Sequence, residues 1–213
     1  LHFKKKFKSM MFKTISLLTN IEKTGGANIA ALRIYKLLKK DFKIEIISPK
    51  NNFLNKIKYY FARILVRIFI KKTNYLNSLN LFSKANFGEI KNEILHIHWI
   101  GNELISIEDL IKINKPIIWT MHDMWPLLST EHYIDTNKFK SYSKDFFNKN
   151  FLKKLIFKKK RRLFDKKIYL VATSLWLKKF AKKSCLTKHL KIVHIYNPIK
   201  TNDWKRLNCN ICK

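Results

Sequence analysis

Short apolar segments alternate with helical segments along this chain, and that alternation constrains the fold more than any other feature. Residues 13–19 are predicted to form a strand, and residues 43–49 form a second strand that Pro49 ends. Between them lies a loop with two glycines, and then apolar residues recur at helical spacing from Ala27 to Leu38. The order strand, glycine turn, helix, strand predicts a βαβ unit.

The same alternation continues to residue 198. Four further strands are predicted at 93–99, 115–121, 168–174 and 190–198, and further helices at 53–72, 103–113, 146–167 and 175–184. Such alternation predicts an α/β fold, a Rossmann-like parallel sheet with helices on both faces. We assign residues 13–200 to this single domain. Residues 1–12 are interpreted as an N-terminal extension from a start-site artefact, and residues 201–213 as the start of an interdomain linker or a truncated tail.

Three residue pairs lie near or after the ends of predicted strands, at the edge of a parallel sheet where ligands bind. They are Gly25–Gly26, His98–Trp99 and His122–Asp123. Glycine lets backbone amides approach an anion, and a helix N-terminus favours negative charge. A plain tight turn explains the glycine pair equally well. The chain has no G-x-G-x-x-G or Walker loop after this strand, which excludes nicotinamide and P-loop roles.

His122 and Asp123 are the strongest candidates for chemistry. A histidine there can hydrogen-bond a sugar hydroxyl or act as a base, and an aspartate can bind hydroxyls or accept a proton. The alternative is a turn in which Asp123 caps local backbone. His96 and His98 share one face of a strand, but no third ligand is placed by spacing. Structural histidines are therefore favoured, and no metal site is predicted.

The formal net charge of +31 has two explanations. One is the Lys-, Asn- and Ile-rich bias of an AT-rich genome, and the other is an anionic partner. No nucleic-acid-binding motif is recognisable, so nucleic acid is not predicted as a partner. The helix at 53–72 combines an apolar stripe with cations such as Lys56, Arg63 and Arg67. Its stripe either packs on the sheet or lies on an anionic membrane surface.

A cytoplasmic location is expected. The three cysteines form no paired framework, no signal-peptide core is recognisable, and residues 53–72 are too charged to cross a bilayer. Peripheral association with the inner face of the membrane is the accompanying expectation.

Five segments, in order, resemble the N-terminal domain of a GT-B glycosyltransferase of the retaining, family-4-like group. They are "TNIEKTGGANIAALRIYKLLKK" (19–40), "ILHIHWIGNELISIEDLIKINKPIIWTMHDMWP" (94–126), "HY" (132–133), "VATSLWLKKFAKKS" (171–184) and "IYNPI" (195–199). The resemblance implies one half of a GT-B fold. It also implies transfer of a sugar from a nucleotide-sugar donor to a glycan or lipid-linked acceptor, in cell-surface polysaccharide synthesis.

The same resemblance implies roles for individual residues. Gly25 and Gly26 would approach the diphosphate of the nucleotide-sugar, and His122 and Asp123 would be the catalytic residues. The acceptor side would be formed by His98, Trp99, Trp125 and Ser174. Retaining transfer of this class needs no metal or other cofactor, because positioned donors stabilise the leaving diphosphate.

Two departures from the family qualify these expectations. Relatives carry a Thr-Gly-Gly-Cys stretch where Leu128 to Glu131 stand here. The family's second Rossmann-like domain, which binds the nucleotide, is not recognised in this sequence. The chain is therefore expected to be inactive alone and to depend on a separate donor-binding chain or domain. A non-catalytic module that binds a glycan or a membrane is the alternative.

Overall fold

The computed structural model describes residues 13–20, 25–50, 52–70, 76–139, 150–199 and 201. Within them the strands are β1 (Thr14–Leu18), β2 (Lys43–Ile47), β3 (Ile94–Ile97), β4 (Ile117–Met121), β5 (Ile168–Ala172) and β6 (Lys191–His194). The helices are α1 (Gly26–Leu38), α2 (Phe53–Phe69), α3 (Ile107–Lys112), α4 (Phe151–Phe164) and α5 (Leu175–Ala181). Short 3-10 helices cover Phe87–Glu89, Trp125–Leu127 and Thr136–Lys138.

The six strands form one all-parallel sheet in the order β2-β1-β3-β4-β5-β6. The predicted Rossmann-like α/β fold is therefore confirmed. Strand β1 lies between β2 and β3, so the connection after β1 runs to one side of it and the connection after β2 returns to the other. The strand order reverses between β1 and β3, which makes this the point where an open parallel sheet opens a crevice for ligands.

The central strands are covered on both faces. Successive side chains of a strand point to opposite faces, so a run of consecutive buried residues requires cover on each side. Such runs occur in β1, where Ile15 to Leu18 are all buried, and in β3, where Leu95 to Ile97 are. The edge strands β2 and β6 alternate between exposed and partly buried residues instead, except that β2 ends in the buried Ile47. The core therefore lies around β1, β3, β4 and β5.

Polar side chains begin four of the helices, because each accepts a hydrogen bond from an otherwise unpaired backbone N–H. The caps are Asn52 for α2, Ser106 for α3, Asn150 for α4 and Ser174 for α5.

Helix α3 is shorter than the predicted 103–113, and the prediction was wrong over its first residues. Asn102 and Glu103 have φ of 58° and 60°, a left-handed conformation that a right-handed helix does not contain. The Glu103 carboxylate accepts the backbone N–H groups of Asn80 and Phe82 at 2.9 and 2.8 Å. These bonds hold the turn, so the helix begins only after Ser106.

The apolar stripe of α2 does not pack on the sheet. Phe53 is 76% exposed and Ile68 is 67% exposed. Residues 71–72 of the predicted helix, residues 146–149 of the next basic helix, and the terminal segments 1–12 and 202–213 lie outside the described residues. None of the helices that the structure describes is long and apolar enough to cross a membrane.

Candidate functional site

The ends of β3 and β4 bring two of the predicted residue pairs together beside the switch point. Nδ1 of His98 and Nε2 of His122 lie 2.9 Å apart, within hydrogen-bonding distance. The indole N–H of Trp99 donates to Oδ2 of Asp123 at 2.8 Å. Each residue after β3 is therefore bonded to its counterpart after β4, and the two strand ends form one polar unit.

The histidines of this unit are electrically neutral near pH 7. Burial lowers the pKa of His122 to about 4, and the nearby Asp123 carboxylate opposes that effect. Burial, followed by repulsion from His122, lowers the pKa of His96 to about 4. Burial also lowers the pKa of His98 far below its usual range. His96 has a separate partner, since its Nε2 lies 2.9 Å from the Thr120 hydroxyl.

Neutrality limits the protonation of the His98–His122 pair to two arrangements. Either His98 donates from Nδ1, or His122 donates from Nε2. Nε2 of His98 is buried without a hydrogen-bond partner in the described structure. A buried N–H without a partner is rarer than an unpaired acceptor, so we expect His98 to carry its proton on Nδ1. His122 then carries its own proton on Nδ1, and this partly exposed residue becomes a neutral hydrogen-bond donor.

Asp123 is fully engaged by the protein itself. Its Oδ1 accepts the backbone N–H of Trp125 at 2.9 Å, which is the local cap considered from the sequence. Its Oδ2 accepts from Trp99 and also lies 2.5 Å from Nδ1 of His132. With 8% of its surface exposed, Asp123 holds neighbouring groups in position in this structure. Its catalytic role stays a prediction.

His132 links the far end of the loop to the same carboxylate. Its Nε2 lies 2.9 Å from the Ser78 hydroxyl, and its backbone carbonyl accepts the N–H of Met124 at 2.9 Å. The loop that leaves β4 therefore returns to its starting point, closed through Asp123. Such internal bonding explains why a segment without helical or strand periodicity has a defined shape.

A buried lysine on helix α4 anchors the same loop. Nζ of Lys160 donates to the backbone carbonyls of Trp125, Leu128 and Ser129 at 2.5, 3.1 and 2.6 Å. It also lies 3.2 Å from the centre of the Trp125 ring. Burial lowers the pKa of Lys160 well below its usual range, an effect that Glu131 and Asp123 oppose. Three carbonyl acceptors match the three N–H groups of an ammonium ion, so the geometry favours the charged form.

Trp99 folds back over a glycine. A Cβ placed on Gly101 would lie 2.3 Å from a ring carbon of Trp99, far inside contact distance. Glycine at this position therefore permits the ring orientation that reaches Asp123. Gly25 and Gly26 differ, because a Cβ on either would meet no atom within 4 Å. Gly25 has extended backbone with φ of −167°, so the packing of the chain does not require glycine there.

Of the remaining predicted residues, Trp125 and His98 are buried, and Ser174 caps a helix. Trp125 is 2% exposed, and its indole N–H donates to the Ser78 carbonyl at 2.9 Å. His98 is buried, so both residues could affect a ligand only through their neighbours. Ser174 is partly buried, and its hydroxyl accepts from the N–H of Leu177 at 3.1 Å. The acceptor-side roles of these three residues stay predictions.

The residues that sequence reasoning missed here are Lys160, Ser78 and Gly101. Lys160 had a usable signal, because it occupies a core position in the helical repeat of α4, eight residues after Leu152 and four after Ile156. Ser78 precedes β3 in an irregular segment and carried no signal in its local pattern. Among the described residues, no group of three His, Cys, Asp or Glu side chains lies close enough to hold a metal ion.

No protein-family model and no curated protein matches this chain. The structure itself shows an all-parallel, Rossmann-like α/β domain with a hydrogen-bonded His–Asp–Trp unit at the carboxyl edge of its sheet.

Proposed function

We propose that this domain is the acceptor-side half of a retaining glycosyltransferase, which transfers a sugar from a nucleotide-sugar to a glycan or lipid-linked acceptor. One observation carries the proposal. The N-terminus of α1, with Gly25–Gly26, follows β1, and the His122 donor follows β4 and lies 2.9 Å from His98 at the end of β3, so both lie at the carboxyl edge of the sheet next to the switch point between β1 and β3. An anion-binding element and a positioned neutral donor are the two groups that a leaving diphosphate and a sugar need.

Gly25 and Gly26 would contact the diphosphate. Helix α1 has thirteen residues, and its first N–H groups carry partial positive charge. Gly25, at the N-cap, offers no side-chain cap to these groups. Because neither glycine is required by internal packing, their value lies in letting a ligand approach the backbone closely.

His122 would hydrogen-bond the donor sugar or the leaving oxygen. With its pKa lowered to about 4, it is neutral at pH 7 and a weak base. A fixed neutral donor stabilises developing negative charge without any proton transfer. His98 would set the tautomer of His122, and Asp123 would fix the loop and the Trp99 ring on the acceptor side. Ser174 would contribute at the same edge, and neither a metal nor another cofactor takes part.

Donor binding would be completed by a second Rossmann-like domain, in the same protein or in a partner chain. Residues 1–213 alone are therefore expected to give no detectable transfer from nucleotide-sugars, since proximity requires a bound donor. Robust turnover by the purified chain would contradict this half-site arrangement.

Binding tests the anion element directly. Without the second domain the chain should bind nucleotide-sugars too weakly for detectable transfer, but titration with high concentrations of UDP-glucose and GDP-mannose, followed by nuclear magnetic resonance of the histidine rings, should still shift the His122 signals. Gly26→Ala should weaken the binding at least tenfold while leaving unfolding unchanged. Gly88→Ala is the matched control, because Gly88 is also exposed and a Cβ there meets only Asn86 at 3.4 Å. Equal affinity in both variants would remove Gly26 from the site.

Catalysis tests His122. In a protein that unites this domain with its donor-binding half, His122→Ala should lower kcat/KM at least a hundredfold with the fold intact. His122→Asn, which keeps an N–H donor, should retain more activity than alanine. A rate near that of the unmodified protein in both variants would exclude His122 from the reaction.

A non-catalytic glycan-binding module is the second candidate, and the engagement of Asp123 favours it. Both carboxylate oxygens of Asp123 accept hydrogen bonds within the protein, so no free carboxylate adjoins His122. For this module, glycan binding would persist in the His122→Ala variant, and no nucleotide-sugar would shift the histidine signals.

A further inference from the structure

Helix α2 leaves one whole side of large apolar residues exposed to solvent. At about 3.6 residues per turn, these residues fall on a single face, which comprises Phe53, Leu54, Ile57, Tyr60, Phe61, Ile64 and Ile68. The two buried residues of the helix, Asn55 and Ala62, lie on the opposite side. The helix is therefore attached to the domain by the side that carries Asn55 and Ala62, where Leu65 and Val66 also pack against the core, and its exposed apolar stripe points outward.

Cations border this stripe, and no acidic residue occurs between Phe53 and Phe69. Lys56, Arg63 and Arg67 are exposed and lie along one edge of the stripe at helical spacing. We call these three cations and the exposed apolar residues together the α2 face.

The α2 face continues onto helix α4. The side-chain amide of Asn150 donates to the backbone carbonyl of Phe69, so the start of α4 adjoins the end of α2. Phe151, the first residue of α4, is 82% exposed. Lys154 and Lys158 follow it on exposed positions of the same helix. Apolar and basic surface thus extends beyond a single helix.

We propose that the α2 face binds the surface of an anionic lipid bilayer. An apolar stripe with cations along its rim matches a surface that presents hydrocarbon beneath negative headgroups. A second copy of this chain is a poor occupant, because association would bring together two chains of formal charge +31. The positive charge of the chain therefore favours an anionic lipid surface over self-association.

This inference is independent of the proposed glycosyl transfer. It uses no residue of the strand-end site, and lipid binding can be measured on a chain that has no enzymatic activity. Failure of one proposal therefore leaves the other unaffected.

Sedimentation of the full chain with vesicles tests the proposal. The chain should bind phosphatidylcholine vesicles that contain phosphatidylglycerol, and should bind pure phosphatidylcholine vesicles poorly. Binding should fall steeply with salt, because the screening length shortens to roughly 3 Å at 1 M. Replacing Phe53 and Ile68 together with serine should weaken binding at least tenfold, and because both residues are exposed this variant should fold normally by circular dichroism.

A charge-matched pair separates local from overall electrostatics. Lys56→Gln with Arg67→Gln should weaken binding on the order of twentyfold, since each cation near an anionic surface contributes about a fivefold factor. Lys182→Gln with Lys183→Gln removes the same charge just after α5, which packs on β5 and β6, and should change binding less than twofold.

Three results would overturn the proposal. The first is absence of binding to either vesicle at low salt. The second is lipid binding that does not depend on the α2 face, seen as equal loss in the two charge variants or as unchanged binding in the serine variant, which would assign binding to overall charge. The third is a concentration-dependent dimer, abolished by the serine variant and indifferent to lipid, which would assign the α2 face to a second copy of the chain.

Discussion

The two basic helices α2 and α4 are similar in composition, but α2 exposes its apolar stripe to solvent and α4 buries its own. Both combine an apolar stripe with several lysines and arginines and contain no acidic residue. Helix α4 buries its stripe, formed by Leu152, Ile156, Phe157, Leu163 and Phe164, whereas α2 exposes its own. Hydrophobic periodicity thus specifies that a helix forms and which side is apolar. It does not specify what covers that side.

The attachment of each helix explains the difference. Helix α4 packs against α3 and reaches under the loop after β4 through Lys160. Helix α2 is held by Asn55, whose amide donates to the carbonyls of Lys50 and Lys84 at 2.8 and 3.1 Å. The buried Lys160 thus ties α4 into the core, whereas the buried amide of Asn55 holds α2 at the edge of the domain.

The largest effect should come from exchanging a lysine in each helix. Lys160→Met removes the ammonium and leaves three buried carbonyls without their donor, which should lower the free energy of unfolding by about 3–5 kcal/mol. Lys56→Met, on the exposed α2, should change it by less than about 0.5 kcal/mol. Urea unfolding measures both. A loss below about 1 kcal/mol for Lys160→Met would mean that Lys160 does not anchor the loop.

Apolar truncation sharpens the same contrast. Ile156→Ala, in the buried stripe of α4, should lower the free energy of unfolding by about 3 kcal/mol because it leaves a cavity. Ile64→Ala, in the α2 face, removes similar atoms from solvent-exposed surface and should cost less than about 0.5 kcal/mol. Thermal unfolding of the two variants gives the comparison. Similar losses would show that the α2 face packs against another part of the chain.

Acid should lower the free energy of unfolding through His96 and His122, whose pKa values are lowered by burial. The folded pKa values of His96 and His122 lie near 4, below the ordinary value of 6.5, so the unfolded chain binds protons first as pH falls. The stabilisation is complete above about pH 6.5 and is lost progressively toward pH 4. At pH 5 the loss should be about 2 kcal/mol per histidine. Urea unfolding at pH 7 and pH 5 measures it.

A histidine variant provides the control for the acid experiment. His122→Asn removes one of the titrating groups, so the difference in stability between pH 7 and pH 5 should shrink by about 2 kcal/mol. An unchanged difference would assign the acid sensitivity to other groups.

The smallest effect should come from the attachment of α2. Asn55→Ala removes the donor to two backbone carbonyls and should lower the free energy of unfolding by about 1–2 kcal/mol. Asn137→Ala, at an exposed position, serves as the control and should have little effect. If Asn55→Ala were as damaging as Lys160→Met, α2 would belong to the core as firmly as α4 does.

The sequence was sufficient to predict all six strands, because buried parallel strands are short apolar runs bounded by loops. The start of α3 was mispredicted because Asn102 and Glu103 adopt a left-handed turn that side chains distant in sequence stabilise. That His98 and His122 lie at the same edge of the sheet followed from the strand ends, but their 2.9 Å contact was not predicted. The engagement of Asp123 by Trp99 and His132 could not be predicted, since it depends on side-chain directions in a loop without period.

The anchoring of the loop by Lys160 also has a consequence for the order of events during synthesis. Trp125 and Lys160 are 35 residues apart, so the ribosome delivers His98, His122 and Asp123 before the group that fixes the loop after them. A nascent chain that stops short of α4 carries His98, His122 and Asp123 but leaves the carbonyls after Trp125 without their ammonium. We therefore expect the loop to take up its described geometry only after α4 has docked.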